Sequence, residues 1–166
     1  MAQHPTLPVA QPALPGLWVI HCDGSAIPNP GRMGLGASLL APDGQQHSLS
    51  LTSSLVGCNN EAELRALIAA LQHAHAQGAR AVAVYSDSTL LIEQLQPPQA
   101  NQRTPAPIAR LAELFDSARA WLARFDSVQL QWIPRHRNSA ADTLARAALG
   151  APAKVAKHPS HKKKKR

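Results

Sequence analysis

The chain is poor in several of the residues that define other protein classes. Its two cysteines, Cys22 and Cys58, lie far apart and lack metal-cluster spacing. That excludes a disulfide-stapled secreted domain and points to a reducing, cytoplasmic setting. No apolar run approaches the roughly 20 residues needed to span a membrane, so no membrane partner is expected. The opening MAQHPTLPVAQPALPG has neither a basic region nor a continuous apolar stretch, and it does not read as a signal peptide. Lysine is missing from the first 150 residues, and acidic residues number only ten in 166. Ten arginines balance those ten acids over residues 1–150. The formal net charge of +7 is therefore a property of the tail, which ends in HKKKKR. Two readings of that tail stay open. It is a solubilising extension, or it is an arm that gathers nucleic acid non-specifically by counterion release.

What remains is enough for one domain with its own core. Residues 1–16 read as a flexible, Pro-rich leader, 17–150 as the folded domain and 151–166 as a disordered polybasic tail. Trp18 to Asp23 predicts a buried strand that delivers Asp23 at its end. Pro28-Asn29-Pro30-Gly31 is a turn, Gly34 to Leu40 a second strand, and Gln46 to Val56 a third, half-exposed one. A helix follows, capped by Asn59 or Asn60. It carries Glu61 and Glu63 in its first turn, a stripe of Leu64, Leu67, Ile68 and Leu71, and a stop at Gly78. Ala81 to Ser86 predicts a strand leading into Asp87, and Thr89 to Leu95 a brief helix. After a polar loop to Pro107, Ile108 to Arg124 predicts a long helix. Val128 to Ile133 is a fifth strand and Ser139 to Leu149 the last helix. Hairpins followed by crossover helices imply an α/β fold, a mixed five-stranded sheet flanked by helices.

Against the scarcity of acidic residues, the positions of four stand out. Asp23 and Asp87 end apolar strands, Glu63 opens a helix, and Asp142 opens the last one. A carboxylate after Val19-Ile20-His21-Cys22 faces burial, which is costly unless it is paired or metal-bound. Strand ends in α/β sheets gather ligands, and oxygen donors suit Mg²⁺ or Mn²⁺. Plainer roles stay open for two of them: Glu63 as a helix-dipole partner, and Asp142 as an i,i+4 support for Arg146.

Four ordered segments resemble motifs of the ribonuclease HI family. They are DGSAIPNPGRMGLG (23–36), CNNEAELRALIAAL (58–71), YSDS (85–88) and NSAADTLARAAL (138–149). The resemblance implies the ribonuclease H-like fold and an endoribonuclease that hydrolyses the RNA strand of RNA/DNA hybrids. It implies two-metal-ion catalysis leaving 3′-hydroxyl and 5′-phosphate ends, with two Mg²⁺ or Mn²⁺ ions per site. Asp23, Glu63, Asp87 and Asp142 are then the catalytic metal ligands, while Glu61 is not. Asn29 matches a family residue near the hybrid's minor groove, Asn59 and Asn60 match asparagines that reach base edges and sugars there, and side-chain amides can read 2′-hydroxyls. Helix capping is the plainer role for the latter two. Cys58 stands where many relatives carry threonine.

The chain departs from the best-known bacterial members in lacking a basic protrusion, since Gln96 to Pro107 holds only Arg103 as a charge. Its ending, WIPRHRNSAAD, resembles a compact subgroup. Arg135 and Arg137 are candidates for phosphate contacts. His136 is a candidate for proton transfer at the leaving group, with surface exposure as its alternative. His21, His73 and His75 show no ligand partners in the sequence. Trp18, Trp121 and Trp132 read as packing residues, with only Trp132 near the site. A monomer is expected. Two other functions stay open: a non-catalytic nucleic-acid-binding domain of the same fold, and a related nuclease preferring RNA duplexes or RNA–DNA junctions.

Overall fold

The alternation and helical stripes of the sequence are realised in a computed structural model, which describes residues 15–96 and 109–152. Nearly all of the leader, the polar loop with Arg103, and the tail from residue 153 lie outside the described residues. The strands are β1 (Leu17–Ile27), β2 (Gly31–Leu40), β3 (Gln46–Gly57), β4 (Ala81–Ser86) and β5 (Ser127–Trp132). The helices are α1 (Asn59–Ala76), α2 (Thr89–Leu95), α3 (Ala112–Leu122) and α4 (Ser139–Ala148). The sheet order is β3-β2-β1-β4-β5. β1, β2 and β3 pair antiparallel as consecutive hairpins, whereas β4 and β5 join parallel. This is the mixed five-stranded α/β sheet expected from the pattern, with the ribonuclease H-like arrangement.

Three elements differ from expectation. β1 does not stop at Asp23; it runs on to Ile27 because its hairpin with β2 continues to the pair Ile27↔Arg32. α1 is capped by Cys58 rather than by Asn59 or Asn60, and no side chain makes the cap hydrogen bond. Asn59 Oδ1 instead accepts from Ala26 N at 2.8 Å, tying the helix to β1. A helix starting at Asn59 also leaves Glu61 in the first turn and carries Glu63 into the second. The predicted helix from 108 opens as a 3₁₀ turn over Ala109–Leu111 before α3 begins.

The core forms where α1 lies on the sheet, with Ile20, Leu39, Leu64, Leu67, Leu71 and Val84 fully buried. Burial of each such side chain stabilises the fold by about 1.5–3 kcal/mol. α4 covers the opposite face through small residues. A β-carbon on Gly36 would collide with the Ala141 carbonyl and the Ala145 backbone, and one on Gly34 with the Ala145 carbonyl. Glycine there lets the helix backbone rest directly on β2. No described helix is long and apolar enough to cross a membrane.

Candidate active site

Sheet register brings the first two carboxylates level. The parallel β1–β4 ladder pairs Ile20 with Val84 and His21 with Tyr85. Continuing that register by two residues brings Asp23 level with Asp87, just past the end of β4. β4 ends at Ser86 while β1 continues, so Asp87 sits where the ladder opens. Gly24 provides the third position. A β-carbon there would strike the Ala62 carbonyl and the Glu63 nitrogen, so glycine seats α1 against β1 and sets Glu63 beside Asp23. Asp142 is set by the contact of α4 with Gly36, the cross-strand partner of Asp23.

All four carboxylates line one polar cleft of about 170 Å³, together with Asn59, Arg135 and Arg146. The crowding shows in the protonation of Asp23 and Glu63. Burial, then the charges of Asp87 and Glu63, push Asp23 up to about 8, against an opposing hydrogen bond from the Gly24 N–H. Burial also raises Glu63 to about 6, with a Ser88 hydroxyl hydrogen bond opposing it. Among the described residues, no three His, Cys, Asp or Glu side chains are drawn together tightly enough to clasp an ion as they stand. The donor set nevertheless suits a hard divalent cation. It is all oxygen and anionic, and the charges of Asp87, Glu63 and Asp142 raise the proton affinity of Asp23, so positive charge in the cleft would relieve the crowding.

Asp87 already has cationic and amide partners. Arg135 Nε lies 3.5 Å from its Oδ2, and Asn138 Nδ2 donates to its Oδ1 at 2.7 Å. The same Asn138 amide donates to the Cys22 carbonyl at 3.0 Å. The side chain is buried, and its Oδ1 has no hydrogen-bond partner. With both facing atoms acceptors, only the orientation that turns NH₂ toward them is stable. Asn138 and Ser88 are the site residues that sequence reasoning left without a role. The signal for Asn138 was its place just before α4, where asparagine reads as a cap.

The other candidates fall in three groups. Asn29 and Asn59 form a connected edge, with Asn29 Oδ1 accepting from Asn59 N at 3.2 Å. Asn60 is half-buried on α1 and is not among the cleft-lining residues. His136 and Arg137 share the 3₁₀ turn Arg135–Arg137; both are exposed and line no part of the cleft. Trp132 is not a packing residue, being 49% exposed at the end of β5 with Nε1 donating to the Asp87 carbonyl at 3.2 Å. Arg146 is used elsewhere than in the suggested support of Asp142, since its Nε donates to the Pro152 carbonyl at 3.0 Å. His73, expected to lack a partner, meets His47 of β3.

Known proteins share this fold. A family model described as reverse transcriptase-like matches residues 21–148. The bifunctional protein Rv2228c of Mycobacterium tuberculosis is 38% identical over 142 residues, covering 83% of this chain but only 37% of the relative. The chain thus spans little more than a third of that relative's length. The solved N-terminal RNase H domain of Rv2228c gives a TM-score of 0.71 at 34% identity, covering 81% of this chain and 94% of that one. Ribonuclease HI of Halobacterium salinarum is 33% identical over 141 residues, covering 85% of this chain and 68% of the relative. The RNase H1 crystal structure from that archaeon gives a TM-score of 0.71 at 32% identity, covering 81% and 98%. LC11-RNase H1, solved in complex with an RNA/DNA hybrid, gives 0.69 at 29% identity, covering 80% and 96%. This homology supports a ribonuclease H-like nuclease function. By fold and by identity to its relatives, the chain belongs to the ribonuclease HI family.

Proposed function

We propose that the chain is an endoribonuclease that hydrolyses the RNA strand of RNA/DNA hybrids, leaving 3′-hydroxyl and 5′-phosphate ends. The observation that carries this reading is the convergence of Asp23, Glu63, Asp87 and Asp142 on one cleft where the parallel strands end. The relative solved with an RNA/DNA hybrid adds support from homology.

Those four residues would hold two Mg²⁺ or Mn²⁺ ions. When bound, such a pair activates water on one side of a phosphodiester and stabilises charge on the leaving oxygen at the other. The chain's own side chains do the rest. Asn138 keeps the Asp87 carboxylate turned into the cleft. Arg135, already at the rim beside Asp87, offers a guanidinium to backbone phosphate, and Arg137 in the same turn extends that contact. The amides of Asn29, Asn59 and Asn60 would read the 2′-hydroxyls that a hybrid's minor groove displays. Asn59 commits its oxygen to Ala26 N, leaving its NH₂ to donate. His136, next to Arg135, is positioned in sequence to pass a proton to the leaving oxygen.

The test compares RNA/DNA, RNA/RNA, DNA/DNA and single-stranded RNA substrates with Mg²⁺ or Mn²⁺, beside an Asp87→Asn variant. Cleavage confined to the RNA of the hybrid and abolished in the variant is expected. Equal cleavage by the variant, or preference for another duplex, overturns the proposal.

A further inference from the structure

Ten residues along α1 from Glu63, or about 15 Å at 1.5 Å per residue, two histidines of different elements meet. His73 Nε2 on α1 and His47 Nδ1 on β3 lie 2.9 Å apart. Their ring centroids are 5.0 Å apart and the planes cross at 64°. Both rings are half-buried, and the buried indole of Trp18 stands 5.2 Å from the His47 ring.

The contact puts one imidazole lone pair against the other ring's N–H, so a single proton lies between two good ligand atoms. Burial, and then the neighbouring His47, hold His73 below the ordinary imidazole range, which favours the neutral form a metal requires. That 2.9 Å is a hydrogen-bond distance, and two nitrogens this close can both reach one ion at bonds of about 2.0–2.1 Å. Nitrogen donors also discriminate against Mg²⁺, which takes oxygen.

We propose that His47 and His73 form a binding site for a divalent transition ion, Cu²⁺ in preference to Ni²⁺. His47 Nδ1 and His73 Nε2 are its two protein ligands, and water fills the other positions. On binding, the shared proton moves to the far nitrogen of the ring that carries it, so both rings stay neutral, and one hydrogen bond gives way to two metal–nitrogen bonds that staple the edge strand β3 to α1. The preference for copper follows the general order of divalent affinities at nitrogen sites. The site is separate from the carboxylate cleft in both place and ligand type, so it does not depend on the nuclease reading.

Trp18 gives a direct readout, because bound Cu²⁺ quenches a nearby indole. His75 supplies an internal control, as it lies against Trp121 with centroids 5.7 Å apart and has no place in the pair. The experiment titrates CuCl₂ into the full chain, with Mg²⁺ saturating the cleft, and follows tryptophan fluorescence and Tm together. Wild type is expected to show saturable quenching at one equivalent and a rise in Tm. His47→Gln and His73→Gln, each checked as folded by circular dichroism, are expected to raise the half-saturation concentration at least tenfold and to abolish the Tm rise. His75→Gln is expected to behave as wild type. Absence of saturable quenching in wild type, unchanged binding in both pair variants, or loss of binding in His75→Gln overturns the proposal.

Discussion

Asn138 donates its amide to Asp87 Oδ1 at 2.7 Å, across 51 residues of sequence, and so holds a carboxylate of the cleft from the N-terminus of the last helix. The same NH₂ group reaches the Cys22 carbonyl, one residue before Asp23. One buried side chain thereby fixes β1, β4 and α4 relative to each other at the point where three of the four carboxylates originate.

Replacing Asn138 with alanine leaves two acceptors without their donor, one of them charged. The expected cost is about 1–3 kcal/mol of stability, read by urea unfolding. Groups that orient metal ligands typically affect metal affinity or activity by about 10–100-fold when removed. The variant should therefore cleave more slowly by a factor in that range at fixed Mg²⁺ and recover part of its rate at higher Mg²⁺. A drop in stability with full activity would make Asn138 a structural residue only.

The raised acids of the cleft set a pH dependence of stability in the absence of divalent ions. Asp23 stands at about 8, against an ordinary value of 3.8, and Glu63 at about 6, against 4.5. The folded state therefore binds more protons than the unfolded state between those limits, and stability falls as pH rises through them. In EDTA, Tm should decrease from pH 5 to pH 8.5. Asp23→Asn should flatten the decline, and Mg²⁺ should raise Tm more at pH 8 than at pH 5. A Tm that climbs with pH in EDTA contradicts this picture of the cleft.

Gly36 sets the height of α4 over the sheet. Gly36→Ala places a methyl against the Ala141 carbonyl and the Ala145 backbone, which cannot give way as a side-chain end can. The expected cost is about 1–3 kcal/mol, with Tm lowered by about 2–4 °C per kcal/mol. Activity should fall beyond the reduction in folded protein, because Asp142 moves with its helix. Gly44→Ala is the comparison: its β-carbon meets nothing, and although φ is +89° its turn is remote from the cleft. It should lower stability without lowering specific activity.

The charge asymmetry of the chain makes a separate prediction. Lys162, Lys163, Lys164 and Lys165 form a basic run in a chain whose first 150 residues are formally neutral. Changing all four to glutamine should leave the cleavage rate at saturating hybrid unchanged and weaken binding. The log–log salt dependence should flatten by about 0.9 for each phosphate that is no longer neutralised. An unchanged slope would show that the run takes no part in binding.

The parts of this fold that follow local periodicity were legible in the sequence. Leu64, Leu67, Ile68 and Leu71 mark α1, and Ala81 to Ser86 reads as the short buried strand it is. The misread parts depend on pairings between distant residues. Gly24-Ser25-Ala26 looks like a turn in isolation and becomes strand through pairing with Met33, Gly34 and Leu35. Asn59 is a good cap by composition, yet Ala26, 33 residues away, takes its oxygen. Asn138 donates to a carboxylate 51 residues away, and His73 finds its partner 26 residues upstream. The four carboxylates were visible as identities within motifs. That they share one cleft required the register of β1 against β4 and the glycine contacts of α1 and α4.

The most direct measurement uses an RNA/DNA hybrid with 5′-labelled RNA, incubated with the full chain and Mg²⁺, and resolves the ends of the products. The expected result is RNA fragments ending in 3′-hydroxyl and beginning in 5′-phosphate, an intact DNA strand, and no products in EDTA or with Asp23→Asn. Fragments ending in 2′,3′-cyclic phosphate, cleavage that persists in EDTA, or an undiminished rate with Asp23→Asn would contradict a two-metal carboxylate site.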